Sequence, residues 1–151
     1  LIYSGNRDKA INFYNKNENF IFRDSYIKGK VIKVNLSEGL TEIKLGRDSI
    51  TVFSNKLNLG QNVIVKIKAT DIIISTIIPD KLSSLNYLKT NIEEVVFQEG
   101  LACLILNYEK NTIKALLTKK SYSKLNIKKG MQCYAIIKAL NINDVTNINL
   151  V

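Results

Sequence analysis

Apolar and polar residues alternate along much of this chain, which is the pattern of short β-strands with one buried face. The segment NVIVKIKA (62–69) follows this alternation and turns Lys68 outward. The segment QCYAIIKA (132–139) keeps the same parity, so Lys138 holds the equivalent outward position. In this second segment the pattern predicts core-facing Cys133, Ala135 and Ile137 and outward-facing Tyr134, Ile136 and Lys138.

The sequence also contains an internal repeat. Residues 37–45 (SEGLTEIKL) resemble residues 98–106 (QEGLACLIL), and residues 60–72 resemble residues 130–142. The spacing between the matching segments is longer in the second copy, because an insertion lies around residues 118–130. Segments that recur in the same order with one insertion indicate two homologous copies of a small domain.

The repeat and the strand pattern together predict the organisation of the chain. Residues 1–25 are rich in aromatic residues and asparagine without a clear period, and we expect them to connect to an upstream domain, with part of the segment packed down. Residues 26–78 and 79–151 are expected to form two domains of about five strands each, the second with a short helix near 119–125. Small sheets remove their free edges by curling into barrels. The predicted fold class is therefore all-β, with two tandem OB-like five-stranded barrels.

Charge and composition narrow the functions open to the chain. It carries 22 Lys+Arg against 13 Asp+Glu, a net charge of +9, and no histidine. The missing histidines exclude every mechanism that needs an imidazole, and the sequence contains no phosphate-binding loop, dinucleotide-binding or nucleophile-elbow motif. The sequence therefore predicts a binding module without catalysis, cofactor or metal, and an anionic partner.

The cysteines and the N-terminus bear on the cellular setting. Cys103 and Cys133 each lie in an apolar run and are expected to be buried, reduced thiols, as in a cytoplasmic protein. The N-terminus shows no signal-peptide pattern, and no apolar run approaches the roughly 20 residues of a membrane-spanning helix. Because the chain begins with Leu1, we expect it to be a fragment of a longer protein.

Three segments taken together resemble the molybdate-binding Mop/TOBE domains. They are IKATDIIISTIIPDKLSSLNYL (67–88), ALLTKKSYSKLNIKKG (115–130) and YAIIKAL (134–140). More narrowly, they are similar to the C-terminal regulatory domain of the molybdate ABC transporter's ATP-binding subunit, a family that pairs two such barrels in one chain. The resemblance covers residues 26–148 and is closest in the second copy.

The resemblance also implies which residues hold the ligand. The oxyanion ligands of the family fall on Ser83, Ser84, Leu85, Asn86, Thr118, Ser121, Lys138 and Ala139. Leu85 stands where the family commonly has arginine, and it is expected to act through its backbone N–H. The first copy lacks both serine-containing elements, so Lys68 and Ala69 are expected to supply only a strand end to a shared site.

These residue types suit a tetrahedral dianion. Molybdate and tungstate present only acceptor oxygens, so they need many donors, which hydroxyls, an Asn amide, backbone N–H groups and one lysine provide. In the family these elements meet across subunit interfaces, so the resemblance implies a homodimer. It further implies an oxyanion-sensing domain joined to an ABC ATPase domain, acting with a membrane permease on the cytoplasmic side of the inner membrane.

Simpler interpretations exist for each residue taken alone. Ser83, Ser84 and Asn86 are also turn-forming residues, Ser121 could cap a helix, and Lys138 could be a solvated strand lysine. The seven lysines between residues 110 and 129, with no acid among them, are typical of a solvated face. The alternative functions are the sensing domain of a molybdate-responsive transcriptional regulator, a single-stranded nucleic-acid-binding OB-type module, and a dimerisation module that binds no ligand.

Overall fold

Strands dominate the computed structural model, which describes residues 20–84, 86–142 and 145–148. The strands are β1 (Ser25–Asn35), β2 (Leu40–Leu45), β3 (Asp48–Phe53), β4 (Asn62–Ile67), β5 (Ile73–Ser75), β6 (Asn86–Gln98), β7 (Leu101–Tyr108), β8 (Asn111–Thr118), β9 (Gln132–Ile137) and β10 (Val145–Asn147). One α-helix, α1 (Lys119–Lys124), and three 3-10 turns (Phe20–Phe22, Ala69–Asp71 and Ala139–Asn141) complete the described chain. Within these ranges no helix has the length and apolar character needed to cross a bilayer.

The strands form two antiparallel five-stranded sheets that exchange their short outer strands. The first sheet has the order β10-β4-β1-β2-β3, and the second sheet has the order β5-β9-β6-β7-β8. Strand β10, from the second copy, pairs with β4 through Val145 and Val65. Strand β5, from the first copy, pairs with β9 through Ile74 and Ala135. The division of the sequence into 26–78 and 79–151 stays a prediction, and in space each sheet contains one strand from the other copy.

Both sheets bury their inward faces in one shared core. Val63 and Val65 of the first sheet and Cys133 and Ala135 of the second are fully buried in the same apolar cluster. Their alternation confirms the parity that the sequence predicted for β4 and β9. Ile136 differs: it was predicted to face outward but is only 6% exposed. Its cross-strand neighbours on the outer face, Ile73 and Tyr87, pair with it from both sides and cover it.

The two cysteines meet the expectation for buried thiols. Cys103 on β7 and Cys133 on β9 are both free and fully buried. The Thr90 hydroxyl lies 3.2 Å from the Cys133 sulfur. Burial raises the pKa of both thiols, that of Cys103 to about 11, so they remain protonated at neutral pH.

A longer hairpin in the second copy joins the two sheets. Strands β7 and β8 have eight residues each, whereas β2 and β3 have six. Residues at the turn of this longer hairpin contact the β2–β3 turn. The Tyr108 hydroxyl donates to the Leu45 carbonyl and accepts the Asp48 N–H at 3.0 Å. The Glu109 carboxylate accepts the Arg47 N–H at 2.9 Å. These contacts fix the two copies against each other by polar bonds as well as by the core.

Part of the predicted connector packs against the second sheet. Residues 1–19 lie outside the described part of the chain, but Phe20 and Ile21 are buried in a small apolar cluster with Val96, Cys103 and Ile105. This cluster covers the face of β6 and β7 that points away from the shared core. Packing of this stretch agrees with the expectation that some of residues 1–25 would be held down.

Candidate functional site

Several of the predicted ligand residues meet where β6 begins and β9 ends. Asn86 pairs with Ile137 in the register of these two strands. The Ser84 hydroxyl lies 3.1 Å from the Ile137 carbonyl oxygen, to which it donates, and it accepts the Asn86 N–H at 3.3 Å. Lys138 and Ala139 follow Ile137 directly and begin a 3-10 turn. Ser83 is exposed beside them, and Leu85 lies outside the described residues. We call this group the strand-end corner.

Lys138 supplies the positive charge of the strand-end corner. Its side chain is exposed, whereas Ala139 is 8% exposed and is held through its backbone. Lys138 occupies the N-cap position of the 3-10 turn in an extended conformation, and the structure shows no side-chain capping bond there. Its ammonium group can therefore turn toward an anion that arrives from solvent.

Both the oxygen and the nitrogen of the Asn86 amide are hydrogen-bonded inside the protein. Its Oδ1 accepts the Thr51 N–H at 2.6 Å and its Nδ2 donates to the Thr51 carbonyl at 2.7 Å. Asn86 is 1% exposed. The side chain thus acts as a short bridge between β6 of the second sheet and the edge strand β3 of the first. In this arrangement Asn86 positions the corner, and the donors that face solvent belong to Ser83 and Lys138.

Thr118 and Ser121 form a helix cap. Thr118 is the N-cap residue of α1, and its Oγ1 accepts the Ser121 N–H at 3.1 Å. The two hydroxyl oxygens are also 3.1 Å apart. Both residues are exposed, so the capping interpretation that the sequence allowed for Ser121 is present in the structure.

The helix cap and the strand-end corner lie at opposite ends of β6. Thr118 pairs with Leu101, which pairs with Gln98, the last residue of this thirteen-residue strand, whereas Asn86 is its first. The described chain therefore keeps the two groups of predicted ligands apart. Lys68 belongs with neither group directly, although the 3-10 turn that follows it, Ala69–Asp71, contacts β8, the strand that leads to Thr118.

The described residues contain no group of three or more Cys, Asp, Glu or His side chains placed to hold a metal ion. The exposed donors at the strand-end corner are hydroxyl and ammonium groups, which bind acceptor oxygens rather than cations. The strand-end corner therefore presents hydrogen-bond donors and one positive charge to solvent.

Lys114 is a buried charge that the sequence pattern did not reveal. It lies on β8 within the lysine-rich run, but it is only 6% exposed, so the solvated-face interpretation fails for this residue. Its Nζ donates to the Phe20 carbonyl at 2.6 Å and lies 4.7 Å from the centre of the Phe20 ring. The cover comes from residues far away in sequence, and no local signal pairs them with β8.

The pKa shifts around Lys114 predict a stability maximum near pH 9. Burial lowers the pKa of Lys114 from 10.5 to about 8, so above pH 8 the unfolded chain binds more protons and stability rises. Burial raises the pKa of Cys103 from 9.0 to about 11 and also raises the pKa of Cys133 above 9.0. Above pH 9 the two thiols together keep more protons in the folded chain than Lys114 loses there, so stability falls. The neighbouring charges of Arg23 and Asp24 act on Lys114 in opposite directions.

Urea unfolding between pH 7 and pH 11 measures this profile. The variant Lys114→Met should lose the rise between pH 8 and pH 9 and keep the fall above pH 9. The variant Lys110→Met, at an exposed position of the same run, should keep both limbs. If the stability of Lys114→Met still rises between pH 8 and pH 9, the rise belongs to another titratable group.

Comparisons with known proteins show which sequences this chain resembles. No family model matches the sequence. The molybdenum import ATP-binding protein ModC of Pasteurella multocida is 23% identical over 112 residues, which are 74% of this chain and 32% of that protein. ModC of Brucella abortus is 29% identical over 105 residues, which are 69% of this chain and 29% of that protein. This chain thus spans about a third of the length of the curated relatives it matches.

A solved structure decides the fold. The cytoplasmic molybdate-binding protein ModG, crystallised with molybdate bound, matches this chain with a TM-score of 0.70 and 22% sequence identity. The match covers 81% of this chain and 94% of ModG. The chain has the fold of ModG. The prediction of an all-β tandem of OB-like barrels with a short helix in the second is therefore confirmed.

In this ModG-like fold the assignment of individual ligand residues stays a prediction. The structure brings Ser83, Ser84, Asn86 and Lys138 to one corner and leaves Thr118 with Ser121 at the far end of β6. Two features escaped the residue pattern: the bridge from Asn86 to Thr51 and the burial of Lys114. Both depend on contacts between the two sheets or with the N-terminal segment, which an alternation of residue types does not encode.

Proposed function

We propose that this chain binds molybdate or tungstate as the regulatory domain of a molybdate ABC transporter ATP-binding subunit. The observation that carries the proposal is the tandem fold it shares with ModG, which holds molybdate in its crystal structure. Similarity to ModC over about three quarters of this chain supports the connection to a transporter. On this proposal the chain has no catalysis of its own and works in the cytoplasm, at the inner membrane, with an ATPase domain and a permease.

The oxyanion site is proposed to form between two copies of the chain. Within one chain the strand-end corner and the helix cap lie at opposite ends of β6, so neither group surrounds an anion by itself. In a homodimer the corner of one chain can face Thr118 and Ser121 of the other. Ser83 and Lys138 then supply donors on one side, and the hydroxyls and N–H groups at the start of α1 supply donors on the other. Lys68 and Ala69 add the strand end of the first copy.

Calorimetry and thermal unfolding with molybdate, tungstate and sulfate test this function. Ligand at 100 times its Kd should stabilise the fold by about 2.7 kcal/mol, and sulfate at the same concentration should stabilise it less. No heat and no stabilisation with any of the three anions would leave a dimerisation module without ligand. A monomer that binds molybdate with full affinity would contradict the proposed shared site while leaving oxyanion binding intact.

The variant Lys138→Gln tests the site. Loss of a charge-assisted bond should weaken molybdate binding about tenfold or more, because such bonds contribute about 1.5–3 kcal/mol. The matched control Lys28→Gln removes an exposed lysine from β1 and should leave the affinity unchanged. Equal affinities for the two variants would contradict the assignment of Lys138.

The alternatives receive less support from the structure. A single-strand-binding module needs aromatic faces free for stacking beside its basic residues. Tyr122, the aromatic residue in the lysine-rich run, instead packs edge-on against Phe97 with ring centres 5.2 Å apart. The proteins matched in sequence are transporter ATP-binding proteins, which does not favour a transcriptional regulator.

A further inference from the structure

The two copies differ at one equivalent end. Phe53 ends β3 opposite Leu40, just as Thr118 ends β8 opposite Leu101. The chain then reaches the next buried position, Leu57 in the first copy and Ile127 in the second. The first copy bridges this step with residues 54–56, whereas the second inserts residues 119–126, which contain α1.

In the second copy, α1 covers this end of the sheet. Tyr122 and Leu125 are partly buried against the shared core. Tyr122 also packs edge-on against Phe97 at the end of β6. The two side chains are three residues apart and lie on the same face of the helical turn. A helical turn that carries an aromatic and an aliphatic side chain three residues apart therefore covers this end of the second sheet.

In the first copy, the described part of the chain leaves the same end open. A cavity of about 300 Å³ lies there, with apolar walls formed by Phe53, Leu57, Ile142 and Val145. Phe53 is 57% exposed. Leu36, which corresponds to Phe97 in the repeat, is 74% exposed. The lining also includes Ser54, Asn55 and Lys56, which follow Phe53 directly and carry the polar groups of the cavity. We call this place the open end of the first sheet.

We propose that the open end of the first sheet is a docking site for an amphipathic helical turn of a partner protein. The partner helix presents an aromatic and an aliphatic side chain three residues apart, as α1 presents Tyr122 and Leu125 to the second sheet. Among the described residues that line the cavity, Lys56 carries the charge, so the partner helix carries an acidic residue beside its apolar pair. The α1 of another molecule of this protein does not fit this role, because its apolar side chains already cover its own sheet.

A peptide with the sequence of residues 117–127, LTKKSYSKLNI, is the probe for this site. Titrated into the intact chain with amide shifts recorded by NMR, it should shift residues at Phe53, Leu57 and Ile142. A peptide with Glu in place of Lys119 and Lys120 should bind more tightly, and Lys56→Gln should remove that preference. A control peptide with Ser in place of Tyr122 and Leu125 should produce no shifts.

Two variants of the chain make the outcome decisive. Phe53→Ala changes an exposed side chain and should weaken peptide binding at least tenfold. Replacing residues 54–56 with residues 119–126 should cover the open end internally, which abolishes peptide binding and raises the unfolding midpoint. Shifts centred elsewhere, equal binding of the control peptide, or full binding by either variant would overturn the proposal. An apolar dye that binds the cavity while the peptide does not would also overturn it, in favour of a small-molecule pocket.

Discussion

Produced as separate fragments, residues 1–78 and 79–151 are expected to be unfolded alone and to fold when mixed. Each sheet takes one outer strand from the other copy, so each fragment lacks a strand that its sheet needs. Each fragment also exposes its half of the shared core, in which Val63, Val65, Leu88 and Leu104 are fully buried. The free energy of burial therefore depends on both fragments being present.

The free energy of burial that each fragment loses is expected to exceed the free energy of unfolding of an ordinary domain. Burying one aliphatic side chain contributes about 1.5–3 kcal/mol, and small proteins are stable by only about 5–15 kcal/mol. Exposing half of the shared core involves more than enough side chains to cancel that margin. Circular dichroism and amide NMR of each fragment, alone and at equal concentrations, measure the effect.

A nicked chain provides the control for the fragments. A protease site placed between residues 78 and 79 of the intact chain and cut after folding should leave the fold in place, because its strands are already paired. A cooperative unfolding transition from either fragment alone, at low concentration, would contradict the expectation. It would mean that the exchanged strands add little to either sheet.

The variant Asn86→Ala is expected to destabilise the fold by about 3 kcal/mol. The side chain satisfies both the N–H and the carbonyl of Thr51 with bonds of 2.6 and 2.7 Å. Alanine leaves the N–H and the carbonyl of the partly buried Thr51 without these partners, and each polar group left unsatisfied on burial costs about 1–3 kcal/mol. Urea unfolding at neutral pH should show a lower midpoint and an unchanged slope.

Asn91→Ala is the matched control on the same strand. Asn91 is exposed, so its replacement should change stability by about 0.5 kcal/mol or less. Equal effects of the two substitutions would show that the bridge to Thr51 does not stabilise the contact between the sheets. Because Asn86→Ala acts on the fold, reduced molybdate binding in this variant would not identify Asn86 as a ligand, whereas the exposed Lys138 gives a direct test.

Much of the fold follows from local residue patterns. The alternation in β4 and β9 predicted which side chains enter the core, and the repeat predicted two copies of one architecture. The insertion around residues 118–130 predicted a short helix in the second copy alone. These features depend on neighbours in sequence, because the period of a strand and the cap of a helix are local properties.

The sequence does not reveal the partners of the outer strands. Alternation shows which face of β5 is buried, but an isolated three-residue strand pairs equally well with either copy. The same limit applies to the site: the resemblance names Asn86 and Thr118 together, yet the register of β6 separates them. Lys114 escapes for a similar reason, since its cover, Phe20, lies 94 positions away. Contacts between segments distant in sequence decide the pairing of β5, the separation of Asn86 from Thr118 and the burial of Lys114.

The exchange of outer strands has a consequence for how the two copies can differ. A chain with one copy could complete its sheet only with a second, identical chain, and any substitution would then appear at both ends of the pair. Joining the copies covalently makes the exchange intramolecular, with an effective concentration fixed by the connecting segment and independent of protein concentration. It also removes the symmetry constraint. One copy can carry α1 while the other keeps an open end, so a single chain offers two ends with different surfaces.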